Sequence, residues 1–129
     1  MNRSQVRTVV TFAALAEIGA GLAFTVAPAF VVTWMLGVEA SCAVAAIGRC
    51  FGIALLALGV ASWPSSRRDR SSASALPALL LYNAAIAIYL IYLGTAVQMH
   101  GVLLWPVAAL HAAMALLLIW AWRAGRMDA

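Results

Sequence analysis

Four long apolar runs make up most of this chain, and each has a single polar side chain deep inside it: Glu17, Arg49, Asn83 and His111. About 20 apolar residues are enough to cross a hydrocarbon core of about 30 Å as a helix. In lipid the backbone must satisfy its own hydrogen bonds, which a helix does within one segment. The expected architecture is therefore all-α, a four-helix transmembrane bundle. A charged group left alone at the centre of such a span costs about 2.5–3.5 kcal/mol on insertion scales. The four polar residues are accordingly expected to face one another, with Glu17 and Arg49 as an ion pair.

Composition points the same way. Of 129 residues, 66% are hydrophobic and 9% charged, against roughly 45–50% and 25% in soluble domains. The eight basic residues are all Arg and the formal net charge is +4. They cluster at the ends of apolar runs and form no patch or stripe, so membrane orientation explains them better than nucleic-acid binding does.

Punctuation sets the expected boundaries. Pro28 ends the first run, because proline lacks the amide donor and restricts the residue before it. The stretch to Gly37 is too short to cross and holds Phe30 and Trp34, which suggests a short interfacial helix or re-entrant turn. Ser41 is a plausible N-cap for the second span, Trp63 and Pro64 close it, and Pro77 suits the first turn of the third. The expected spans are about 8–28, 41–63, 76–98 and 102–122, with an interfacial segment over about 29–37 and a loop over about 64–75, all in one membrane domain.

The first run also has the outline of a secretory signal, with Arg3 and Arg7 ahead of it and Ala27-Pro28-Ala29 as a small-residue site. Its apolar stretch exceeds the 7–15 residues of a usual signal core and contains Glu17, so a first transmembrane helix fits better. Arg3 and Arg7, then Arg67, Arg68 and Arg70, then Arg123 and Arg126 fall on one side after even numbers of crossings. That side is expected to be the cytoplasm, with both termini there, in a bacterial-type inner membrane. The loop arginines can also touch anionic lipid headgroups.

Cys42 and Cys50 lie on one expected helix at a rise of about 12 Å, beyond the separation of about 7 Å that a disulfide can bridge. Two packed, reduced thiols are expected. Gly48 and Gly52 form a G-x-x-x-G pattern that lets a neighbouring backbone approach.

Counting from the helix starts puts Glu17, Arg49, Asn83 and His111 at about one depth, roughly 10 to 15 Å from a face. Small neighbours (Ala13, Ala20 and Gly21; Ala45, Ala46 and Gly52; Ala108 and Ala115) suggest that the first, second and fourth spans pack closest. Asn83, with Leu79, Leu80, Ile86 and Ala87 beside it, has fewer. Tyr82 and Tyr89, seven apart, share a face with each other. The cluster admits two readings. In one it only fixes helix register, Asn83 and His111 being satisfied by hydrogen bonds. In the other Glu17 and His111 form a proton relay or bind a polar headgroup. A haem would ordinarily want a second axial ligand, and His100 lies at a loop; a metal site would need more carboxylates or imidazoles at that level.

The layout resembles the small four-helix DoxX-like bacterial membrane proteins: an Arg-tipped first helix, Gly48-Arg49-x-x-Gly52 in the second, and an Arg-rich middle loop. Some members of that group are linked to quinone-coupled oxidation as accessory subunits, which implies a quinone- or haem-associated redox role here. More locally, Ala13-Ala14-Leu15-Ala16-Glu17-Ile18-Gly19 is similar to the first helix of small multidrug resistance exporters, which implies proton coupling at Glu17. Arg49 and His111 at the same depth would oppose a cationic substrate, and the later helices lack that pattern. No nucleophile–base pair or phosphate-cradling loop is evident, so the expectation is an accessory or ligand-binding membrane protein, as a homo-oligomer or in a larger membrane complex, with no independent catalysis.

Overall fold

The computed structural model describes residues 3–64 and 70–127, with side chains over 4–64 and 75–123. These residues form five helices: α1 (Arg3–Val26), α2 (Pro28–Leu36), α3 (Cys42–Ala61), α4 (Arg70–Thr95) and α5 (Leu104–Met127). Four of them contain apolar segments of crossing length, Ser4–Val26, Cys42–Ala61, Ala75–Thr95 and Leu104–Arg123. In each of them no more than 33% of the most apolar 18-residue stretch is buried inside the protein. That leaves more apolar surface than a soluble monomer tolerates. The protein is a multi-pass membrane protein.

Local chemistry sets the helix ends. Pro28 occupies the first turn of α2, where its missing donor leaves no bond unmade. Gly37 ends α2 in the left-handed region at φ 74, a conformation glycine adopts without steric penalty, and its N–H donates to the Thr33 carbonyl at 2.8 Å. The Ser41 side chain caps α3 by accepting from the Val44 N–H at 3.3 Å.

At the start of α4 the structure departs from expectation. The helix begins at Arg70, inside the stretch read as a loop, and Pro77 lies within it instead of in its first turn. A proline removes one backbone bond, and the Ala and Leu residues around it are good enough helix formers to carry the helix through. The arginines Arg67 and Arg68 lie outside the described residues.

The helices pack as two pairs, α1 with α3 and α4 with α5, with far fewer contacts between the pairs. The α1/α3 contact is made backbone to backbone. A Cβ on Gly52 would stand 2.7 Å from the Thr25 nitrogen and 2.8 Å from the Gly21 carbonyl oxygen, and one on Gly21 would stand 2.8 Å from the Gly52 oxygen. Gly48, Gly52, Leu55 and Gly59 form the buried stripe of α3.

Three apolar clusters fill the interior, the first of them shared by both pairs. Near the chain termini, Val10 and Ala13 of α1 meet Leu76 and Leu79 of α4 and Met114, Leu118 and Ala121 of α5. At the opposite end Phe24, Val32 and Leu55 form one cluster, and Leu90, Leu93, Leu104 and Ala108 form another. That end is also tied by the Leu103 N–H donating to the Trp34 carbonyl at 2.9 Å, and by Gly101 seated directly on the Met35 and Leu36 backbone.

Candidate functional site

Between the apolar clusters at the two ends, on the seam between the helix pairs, three polar side chains from three helices meet. Glu17 and Asn83 are each 2% exposed and His111 is half-buried. Asn83 sits in the middle. Its Nδ2 donates to the Leu79 carbonyl at 2.9 Å and to Glu17 Oε1 at 3.3 Å. Its Oδ1 lies 2.8 Å from His111 Nδ1.

These contacts settle the proton positions. The Leu79 carbonyl can only accept, so the amide must turn its nitrogen toward Leu79 and Glu17 and its oxygen toward His111. That oxygen can only accept, so His111 Nδ1 carries the hydrogen, and a neutral ring then presents a lone pair at Nε2. The imidazole packs edge to face with Tyr82, with ring centroids 5.7 Å apart at 79°. Tyr82 itself packs against the Phe24, Val32 and Leu55 cluster.

The chain of contacts is open at its carboxylate end. Glu17 Oε2 is buried without a hydrogen-bond partner among the described residues. Buried polar side-chain atoms nearly always have a partner, because desolvation is otherwise uncompensated. An orphaned carboxyl oxygen, linked to an imidazole through one amide, is a place for a proton or for a ligand's donor.

Of the six residues singled out in the sequence, Glu17, Asn83, His111 and Tyr82 come together, while Arg49 and Tyr89 do not. The expected Glu17–Arg49 ion pair does not form: Arg49 is exposed, and no ion pair involves it among the described residues. The cause is the glycine stripe that binds α3 to α1. At about 100° per residue, Arg49 follows Gly48 and so points roughly at right angles to the buried face. Tyr89 is 56% exposed and stacks on Tyr92, centroids 6.3 Å apart.

The ranking of the helices also changes. Asn83, with the less favourable neighbours, holds the cluster together, and α3 contributes none of its polar groups. One contributor is missing from the sequence reading: the Leu79 carbonyl, whose only signal was its place four residues before a membrane-embedded Asn. Cys42 and Cys50 are free, as the spacing implied, but both are exposed instead of packed. Among the described residues no three His, Cys, Asp or Glu side chains gather where they could hold a metal ion. Comparison with family models, with curated proteins and with solved structures finds no match for this chain.

Proposed function

We propose that this is an accessory or ligand-binding protein of a bacterial-type cytoplasmic membrane, similar in kind to DoxX-like proteins, with both termini in the cytoplasm. Its working site is the Glu17–Asn83–His111 cluster. The observation that carries this reading is the buried, unpartnered Oε2 of Glu17 at the end of that chain. A cluster that served only to fix helix register would close on itself. Here Glu17 Oε2 has no partner among the described residues, and a neutral His111 ring keeps an acceptor lone pair at Nε2. The matching ligand is a lipid-soluble molecule bearing a hydroxyl or amine donor beside an apolar body, entering along the half-buried His111 side.

A quinol has that chemistry, which is how the redox-subunit reading connects to the site. The proton-transfer reading draws on the same contacts, since Glu17, Asn83 and His111 form one hydrogen-bonded line through the seam. Native mass spectrometry of the full chain from mild detergent tests both. A small molecule retained by the wild type and lost from Asn83→Leu and His111→Phe, at unchanged helicity, is the expected result. Proton flux in liposomes that disappears in Glu17→Gln without any bound molecule would favour transfer. A chain that carries neither ligand nor flux, with unaltered cellular activity in all three variants, would reduce the cluster to interhelical glue.

A further inference from the structure

The described surface has one carboxylate outside the apolar interior, Glu39, and it lines the same cavity as two aromatic rings. Ala29, Phe30, Thr33, Trp34, Glu39 and Ala40 line an open cavity of about 340 Å³ at the end of the bundle away from the chain termini. The rings of Phe30 and Trp34 stand 5.4 Å apart at 35° and are 59% and 46% exposed. Glu39 is exposed and forms no ion pair among the described residues.

From these groups we infer a binding site for an ammonium headgroup, the amine end of a zwitterionic phospholipid. Aromatic faces attract cations through the negative potential over the ring, and a neighbouring carboxylate supplies the opposite charge. The helix that carries the rings is anchored before any ligand arrives. The rings sit one turn apart on α2, whose other face is anchored by the buried Pro28 and Val32 and whose Trp34 carbonyl is tied to Leu103. The left-handed turn at Gly37 then folds the chain back, and the Ser41 cap fixes where α3 starts, so that Glu39 returns to the side of α2 that carries the rings.

The location favours a lipid over a soluble amine. α2 joins the end of one span to the start of the next, at the level where tryptophan ordinarily meets headgroups. The cavity is large enough for a headgroup and is open at the side. The site is separate from the Glu17 cluster and does not depend on what that cluster binds.

The test uses the full chain in nanodiscs of equal parts phosphatidylethanolamine and phosphatidylglycerol, read by native mass spectrometry for retained lipid. Wild type should retain the ethanolamine lipid in preference. Glu39→Gln should weaken that preference about tenfold, the size of a charge-assisted hydrogen bond. Trp34→Leu should weaken it about threefold, the size of one exposed cation–π contact. Phe30→Leu provides a second aromatic variant should Trp34→Leu disturb the fold, and phosphatidylglycerol retention should not change in any of them. Tetramethylammonium that displaces the lipid at millimolar levels would assign the same site to a soluble cation. Equal retention of the two lipids, unaffected by all three substitutions, would overturn the proposal and leave Glu39 as a charge near the start of α3.

Discussion

Asn83 touches both other polar members of the cluster, so replacing it strands two groups at once. Asn83→Leu keeps the branched shape of the side chain but removes the donor to Glu17 Oε1 and the acceptor for His111 Nδ1. Each stranded buried group costs about 1–3 kcal/mol in soluble proteins, and interhelical hydrogen bonds in membranes average nearer 0.6. A destabilisation of about 1–3 kcal/mol is therefore expected, read as a lower midpoint in denaturant titration of the detergent-solubilised protein. Arg49→Gln provides the contrast. Arg49 is exposed and unpaired among the described residues, so its loss should not destabilise the fold. Had the two charges been paired in the interior, that change would have cost several kcal/mol by leaving Glu17 without its partner.

The contrast also shows how far the sequence could be read. That Glu17, Asn83 and His111 occupy one level followed from counting helical rise, which needs only the span boundaries. Which faces meet depends on helix rotation, and these spans are apolar nearly all round. Small neighbours were the remaining guide, and around Arg49 they misled. Ala45, Ala46 and Gly52 surround it, but the stripe that packs runs through Gly48, Gly52, Leu55 and Gly59.

At the scale of the element, the α1/α3 pair rests on that glycine contact. Gly52→Ala would place a methyl within 2.8 Å of backbone atoms of α1, which must shift to admit it. Overpacking of this kind costs about 1–3 kcal/mol. Gly19 is on the same helix as Gly21, but a Cβ there meets nothing within 4 Å. Gly19→Ala should stabilise by about 0.5–1 kcal/mol through helix propensity alone. Opposite signs for two glycine-to-alanine changes, measured in the same thermal melts, would tie the effect to packing. Destabilisation by both would mean that the pair is held by something other than close backbone approach. The sequence showed the Gly-x-x-x-Gly pattern, but it did not show that Gly21 and Thr25 on α1 were what the pattern packs against.

Taken whole, the molecule has its tryptophans at the two ends, as a bilayer-spanning protein should. Trp63, Trp120 and Trp122 stand exposed near the end where α3 and α5 finish, and Trp34 and Trp105 near the other, which matches belts at two interfaces. The belts do not say which end faces the cytoplasm; the Arg bias is the argument for cytoplasmic termini, and the two native cysteines can test it. Cys42 begins α3 at the end away from the chain termini, while Cys50 lies about 12 Å farther along the same helix. Maleimide reacts with thiolate, which forms readily in water and poorly in hydrocarbon. With cytoplasmic termini, a membrane-impermeant maleimide added to intact spheroplasts should label Cys42 and leave Cys50 untouched, so Cys42→Ser should abolish labelling. In inside-out vesicles neither should react. Labelling of Cys42 only in inside-out vesicles would invert the topology and move the ammonium site to the cytoplasmic leaflet. Labelling of Cys50 from either side would mean that water reaches the Arg49 face of α3, and that this face lines an aqueous path instead of meeting lipid.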